Sequence, residues 1–280
     1  TFGSRIGFIL VSAGCAIGIG NVWKFPYLCG EYGGAAFILI YLVFLLIMGI
    51  PVLVCEFSIG RASRFSVAAS FEELEPEGTK WHWTKWIGIV GSYLLMMFYT
   101  VISGWLLYYF GEMVKGRFQG LTSSEVANVF SGLLGNPTAM IVCSFVIIFV
   151  SFGICTIGLQ KGVERVTKIM MSLLFCLLIV LAVRSVLLPN AEIGLRYYLY
   201  PDFGTIQKIG VPECIFAAMG QAFFTLSIGI GTLSVFGSRI DKSHSLTSNA
   251  LYMGVLDTVV ALLAGLIIFP ACFSFGVEPD

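Results

Sequence analysis

The sequence predicts an all-α integral membrane protein in which two of the membrane-crossing helices are broken near their middles. Composition is the first observation: 58% of the 280 residues are hydrophobic, 11% are charged, and the mean hydropathy is +0.93. A hydrocarbon layer of ~30 Å takes about 20 apolar residues to cross, and the chain supplies seven such segments separated by polar or Gly- and Pro-containing joints. The second observation is the stretch Ser12 to Pro26, SAGCAIGIGNVWKFP, which sets Gly14, Gly18 and Gly20 close together and then places Asn21 and Lys24 where a plain span stays apolar. The third is Ser227 to Gly231, SIGIG, which interrupts the sixth segment in the same way.

Glycine costs roughly 1 kcal/mol in a helix interior relative to alanine, and an unwound turn in lipid leaves peptide N–H and C=O groups unpaired unless something polar meets them. A ligand can be that partner. Free carbonyls and the negative C-terminal end of one half-helix suit a cation, while free N–H groups at the start of the other half suit an anion. The competing reading is that the glycines only permit close helix packing. Paired interruptions in corresponding positions of two halves favour an inverted-repeat transporter with its site at the breaks. A channel is expected instead to show a re-entrant filter or pore-facing charges.

Taken in order, the first span is expected over about Arg5 to Leu28; it continues into the glycine-broken motif and lacks the small-residue cleavage pattern of a removable signal peptide. The second, Ala35 to about Gly60, carries Pro51 and Glu56 and is followed by a charged loop. The third runs from Trp86 to about Met113, and the polar segment Lys115 to Pro137 after it has room for a short helix. Spans four and five cover Thr138 to about Cys155 and Val166 to Leu188, the latter stopped by Pro189. A long connection, Asn190 to Val211, leads to span six, Pro212 to about Gly237, and span seven covers about Asn249 to Phe275. Alternating the connections puts ten of the 16 Lys and Arg residues on the side of Arg5 and six on the side of Lys24. By the positive-inside bias the N-terminus is cytoplasmic and Asp280 external.

Acidic and basic residues balance at 16 each, and nothing in their arrangement suggests nucleic acid. The eight cysteines lack CxxC or His-paired spacing and read as small packing residues. His82 and His244 sit in or beside loops with no nucleophile and base at helical spacing, which argues against an enzyme.

Residues Gly14 to Phe37 (GCAIGIGNVWKFPYLCGEYGGAAF), Phe98 to Thr100 (FYT), Gly220 to Gly231 (GQAFFTLSIGIG), Gly49 to Arg61 (GIPVLVCEFSIGR) and Gly158 to Met171 (GLQKGVERVTKIMM) resemble the neurotransmitter:sodium symporter family, especially its bacterial amino-acid transporters. The resemblance implies a LeuT-like inverted-repeat fold with broken helices one and six. Residues 1–188 would form the first repeat and 189–280 the start of the second. Seven spans are fewer than the family's eleven or twelve, so the residues are expected to belong to a longer chain or to be completed by another polypeptide.

By that resemblance the first sodium ion would be held by the Ala16 carbonyl, the Asn21 amide, Thr225 and Asp257, together with the substrate carboxylate. Gly14 and Ile17 would supply half of a second sodium site. Asp257 replaces the neutral residue of chloride-requiring members, so one or two sodium ions and no chloride are expected. An ionised carboxylate at a helix centre costs ~3 kcal/mol or more unless partnered; pairing with Lys24 is the alternative to sodium. The substrate amine would meet carbonyls near Ala16, Phe224, Thr225 and Ser227, and its carboxylate the N–H groups near Gly20 and the Tyr99 hydroxyl. Gly18, where monoamine carriers have an aspartate, implies an α-amino acid. Leu95, Phe224 and Ile230 would wall an apolar subsite, with Gly229 leaving room for a large side chain, which favours a neutral hydrophobic or aromatic substrate.

Lys24, Tyr99 and Phe224 would form the outer gate, Lys24 standing where the family has an arginine with its bidentate fork. Glu56 is expected to steady the first break, and Gln221 and Tyr41 to hydrogen-bond around Asp257. Ser172 replaces a proline that helps span five unwind. The expected partners are a small amino acid and membrane lipid, and the expected location is a plasma membrane, the bacterial inner membrane in particular. A sensor or partner subunit that binds amino acid without moving it is the alternative; no oligomeric state follows from the sequence.

Overall fold

The structure is a computed structural model that describes residues 11, 13–14, 16–241 and 244–277; Arg5, Ser12, Cys15, Lys242 and Asp280 lie outside the described residues. Thirteen α-helices are named here. They are α1 (Phe25–Glu31), α2 (Ala35–Phe44), α3 (Ile50–Ser63), α4 (Val67–Leu74), α5 (Thr84–Val114), α6 (Ser123–Leu134) and α7 (Pro137–Thr156), then α8 (Arg165–Val186), α9 (Ala191–Leu199), α10 (Phe203–Ile209), α11 (Val211–Thr225), α12 (Ser234–Gly237) and α13 (Leu246–Ser274). Among the described residues there is no strand. Among the described residues, five stretches are long and apolar enough to cross a membrane: Ala35–Ser63, Trp81–Val114, Pro137–Thr156, Lys161–Val186 and Leu246–Ser274. The sixth of the seven expected spans is not among them because α11 stops at Thr225, and the first begins outside the described residues.

Backbone packing divides the chain into two compact units, residues 1–88 with 164–280, and residues 89–163. The repeat boundary expected at 188/189 concerns symmetry between halves and is a separate matter from this division.

In the larger unit the core is rich in aromatic rings: Phe25, Phe37, Tyr41, Phe57, Tyr198 and Phe269 are all fully buried, with Leu53 among them. A second cluster joins Ala13 and Ile17 of the first span to Met171 and Leu178 of α8 and Val260 of α13. The second span is a continuous helix only because α2 and α3 are joined by a π-turn over Leu45–Gly49. Pro51 accounts for it: proline lacks the N–H and crowds the preceding turn, and a wider turn absorbs the defect. The fifth span is likewise entered through a π-turn, Leu159–Glu164, and α8 then runs unbroken through Ser172. The long connection after Pro189 holds two short helices, α9 and α10. Tyr197 and Tyr198 of α9 donate to the carbonyls of Gly30 and Leu262. Hydroxyls satisfying backbone carbonyls in this way let short helices pack at the end of a bundle.

The smaller unit contains the rest of α5, then α6 and α7. Its polar end is closed by Glu112, which accepts from Lys115 at 2.8 Å and Arg117 at 2.7 Å. Thr122 and Glu125 form a capping box that starts the short helix α6, and Trp105 packs edge-on to Phe130. No described residue of α7 is fully buried, and its Ser144 lies against Gly104 of α5, where a Cβ would stand 2.9 Å from the Ser144 hydroxyl.

Seven of the eight cysteines are described, all as free thiols; Cys29 and Cys214 are buried, whereas Cys55, Cys155 and Cys176 are exposed, so the packing role expected of all of them holds only for some.

Candidate functional site

Both expected interruptions are present, with different backbones. In the first span the chain is helical at Ala16, bends at Ile17 and Gly18, and resumes as a π-turn over Gly20–Lys24 before α1. In the sixth, α11 ends at Thr225 and three residues in succession or near it take left-handed φ angles: Ser227 at 55°, Gly229 at 97° and Gly231 at 73°. Glycine adopts such angles without a Cβ penalty, and the SIGIG sequence supplies two where they are needed.

The two interruptions meet at Gly20. A Cβ there would stand 3.0 Å from the Phe224 ring, so the missing side chain is what allows the approach. Immediately beyond lies a fully buried polar cluster. The Asn21 amide nitrogen donates to the Thr225 hydroxyl at 2.9 Å, the Asp257 backbone oxygen at 3.1 Å and Asp257 Oδ1 at 2.8 Å. Thr225 in turn donates to Asp257 Oδ2 at 2.8 Å. Asn21, Thr225 and Asp257 are each fully buried. The Asn21 carbonyl oxygen points the other way and accepts from the Gly18 N–H at 3.0 Å. Three oxygens from two helices thus converge on one amide, and the donor types around that point, carboxylate, hydroxyl and peptide carbonyl, are those a hard cation takes.

Other expected site residues fall in several places. Ala16 and Ile17 are buried in the two apolar clusters, and Gly14 lies against Thr167 and Met171 of α8. Phe224 receives the Lys24 ammonium 4.2 Å above its ring centroid, a cation–π contact. Lys24 therefore does not pair with Asp257, whose carboxylate takes its bonds from Asn21 and Thr225. Ile230 lines a cavity of about 220 Å³ with Val52, Glu56, Val67 and Ile87, and neither Phe224 nor Ala16 is in its wall. Leu95 and Tyr99 belong to α5 within residues 89–163, where both are half-buried and Tyr99 packs edge-on to Phe98.

Two expectations are corrected. Glu56 does not steady the first break; its carboxylate accepts from Gly229 N–H at 2.7 Å, Gly231 N–H at 3.3 Å and Leu233 N–H at 3.2 Å, all in the sixth-span break. These are the orphan donors ahead of α12, and a negative charge at a helix start answers both the unpaired N–H groups and the helix dipole. Gln221 does not bond Asp257 either, whereas Tyr41 does lie beside it, with its hydroxyl close to those of Thr225 and Thr258. Gln221 donates to the Gly20 carbonyl at 2.9 Å, while its own Oε1 is buried without a partner.

Sequence reasoning also missed Arg64, whose φ of 64° ends α3 and lets its guanidinium donate to the carbonyls of Ser238 and Ile240, both at 3.0 Å. The short helix α12 is thus held by an acid at its start and a base at its end, both from α3. Between them Gly60 crosses it so closely that a Cβ would overlap the Ser234 carbonyl oxygen. A basic residue at a helix end was the only signal available in the sequence.

A membrane-embedded bundle with two interrupted helices meeting at a buried oxygen cluster is the architecture of a secondary transporter. The model of the sodium:neurotransmitter symporter family matches residues 1–128 and 120–276, and the chain belongs to that family. It is 38% identical over 277 residues to the uncharacterized sodium-dependent transporter YhdH of Bacillus subtilis, covering 99% of this chain and 60% of that protein. The mouse sodium-dependent neutral amino acid transporter B(0)AT2 is 28% identical over 298 residues, 95% of this chain and 40% of its own length. Among solved structures, MhsT in complex with L-phenylalanine superposes with a TM-score of 0.89 at 40% identity, over 99% of this chain and 62% of MhsT. The chain thus spans about three fifths of the length of YhdH and MhsT. These relatives are transporters rather than enzymes, and the chain is a multi-pass membrane protein of their family.

Proposed function

We propose that the protein of which these residues are part couples the entry of sodium to that of a neutral hydrophobic or aromatic amino acid, without chloride, by alternating access. The observation that carries this reading is the buried triad of Asn21, Thr225 and Asp257 at the meeting of the two breaks. Sodium is a transported substrate here. Turning the Asn21 amide about its last torsion would replace the donor nitrogen by an oxygen, so that Asn21, Thr225, Asp257 and the Ala16 carbonyl present only oxygens to the ion. The same turn frees the Gly18 N–H for the amino-acid carboxylate, and the shared rearrangement makes each ligand favour the other.

Asp257 supplies the negative charge beside the ion, which is why no chloride is needed. Some relatives differ in this: human XTRP3 is described as sodium- and chloride-dependent. The amine would meet carbonyls of Phe224, Thr225 and Ser227. Leu95, Phe224 and Ile230 are proposed as walls of the side-chain subsite, Tyr99 and Phe224 as the closing pair, and Gly14 and Ile17 as half of a second ion site. Ile230 would have to leave its present cavity to serve. MhsT, solved with L-phenylalanine, and B(0)AT2, a neutral amino acid transporter, support the substrate class. Residues 1–188 and the part beginning at 189 are proposed as the two inverted repeats, with the N-terminus cytoplasmic in a bacterial inner membrane.

The test is uptake of labelled L-phenylalanine into proteoliposomes of the full-length protein. Replacing sodium by potassium should abolish it, and replacing chloride by gluconate should not. Asp257→Asn should weaken apparent sodium affinity by about tenfold or more, the loss of a charged ligand, or make uptake chloride-dependent. Unaltered sodium and chloride responses in that variant would reject the assignment.

A further inference from the structure

The cleft formed by α9, the turn after it and the end of α13 carries one basic and one acidic side chain on its wall. Its volume is about 400 Å³, within the range of small-molecule sites. Arg196, Asp202, Tyr197 and Tyr200 line it together with Ile193 and Phe273. The two charges are opposite in sign, both are exposed, and among the described residues neither is in an ion pair.

Arg196 is oriented rather than free-swinging, its guanidinium lying 6.0 Å over the Tyr200 ring. A planar guanidinium with no carboxylate partner is suited to the paired oxygens of a phosphate. Asp202 accepts from Thr205 Oγ1 at 2.8 Å and from Gly204 N–H at 2.9 Å. Those bonds, with the Lys208 ammonium at longer range, hold its carboxyl below the usual aspartate range, so it is ionised at neutral pH. They occupy one lone pair on each oxygen, which leaves each able to accept once more.

The location narrows the ligand. The cleft lies where two membrane-crossing helices stop, α8 at Val186 and α13 at Ser274, so it sits at the boundary between hydrocarbon and water. Helix α9 turns Ile193 and Leu199 outward, with 57% and 61% of their surface exposed. An amphipathic helix with outward apolar residues and the exposed Tyr200 at its end has the character of an interfacial element.

We propose that this cleft binds a zwitterionic phospholipid with a primary ammonium headgroup, its phosphate on Arg196, its ammonium on Asp202, and its acyl chains leaving past Ile193 and Phe273. An anionic lipid would satisfy Arg196 but face the Asp202 carboxylate. A choline lipid would bring the charge without an N–H to donate.

The full-length protein in nanodiscs of mixed phosphatidylethanolamine, phosphatidylglycerol and phosphatidylcholine, released for native mass spectrometry, tests this. Phosphatidylethanolamine should be the lipid retained. Arg196→Gln should lower its retention by about tenfold, the value of one charged hydrogen bond. Asp202→Asn keeps the helix cap on α10 but removes the charge, and should erase the preference over phosphatidylglycerol and phosphatidylcholine. Asp202→Glu should keep that preference, which separates a headgroup contact from a folding defect. Equal retention of the three lipids by the unaltered protein would overturn the proposal, as would a preference untouched in Asp202→Asn. Displacement of the retained species by millimolar free L-phenylalanine would also overturn it, identifying the cleft as an amino-acid site.

Discussion

The two helix interruptions solve one problem with opposite chemistry. In the sixth span three backbone N–H groups converge on the Glu56 carboxylate, so the positive end of the half-helix is neutralised by the protein itself. In the first span the partners are neutral amides: Asn21 accepts from Gly18 and Gln221 donates to Gly20. A charged cap is about twice as strong as a neutral one and correspondingly hard to displace. The difference separates the two breaks: on the function proposed above, a substrate carboxylate would have only an amide oxygen to displace at Gly18, against a full carboxylate at Gly229.

The largest effect that would test this contrast is at Glu56. Glu56→Gln keeps the shape but turns one acceptor oxygen into a donor facing backbone N–H groups, and should cost roughly 3 kcal/mol. The thermal unfolding midpoint in lipid nanodiscs should fall accordingly, with faster amide exchange at Gly229, Gly231 and Leu233. Exchange at Gly18 and Asn21 should stay as it was; equal acceleration at both breaks would dissolve the contrast.

Gln221→Ala probes the neutral break and should be milder. It removes one donor from the Gly20 carbonyl, which keeps its bond from the Phe25 N–H. A loss of about 1 kcal/mol is expected, with exchange rising around Gly20 and unchanged at Gly229. A destabilisation as large as that of Glu56→Gln would show the first break to be as rigidly held as the second.

The smallest effect is expected at Lys24, whose ammonium rests on Phe224 rather than on an acid. Lys24→Gln should lose about 0.5–1 kcal/mol of cation–π attraction, or roughly two- to fivefold in the dissociation rate of bound amino acid. Lys24→Arg should restore it, because a guanidinium stacks on the same ring. Stopped-flow displacement of labelled substrate reads both.

Several parts of the architecture were legible beforehand because they depend on local chemistry. Apolar run length sets which segments cross a membrane, and a glycine-rich interruption in such a run has few outcomes other than a break. Asp257 was also recognisable, since a carboxylate amid apolar residues must find a partner wherever the chain takes it. The π-turn before Pro51 and the short helices α9 and α10 were not legible. The first is a wider winding of an ordinary apolar stretch, and the second are too short to carry a periodic pattern.

What the sequence determined by itself, then, is the membrane class, the seven apolar segments, the two interruptions and the polar residues that had to be answered. Only tertiary structure decided who answers whom. Glu56 went to Gly229, Gly231 and Leu233 rather than to the first break because α3 crosses α12 at Gly60, within contact of the Ser234 carbonyl. Gln221 went to Gly20 rather than Asp257 because one turn of α11 separates it from Thr225, which already holds the carboxylate. A side chain's hydrogen-bonding capacity is written in its residue type, but its partner is set by which backbone is within about 3 Å when the helices pack.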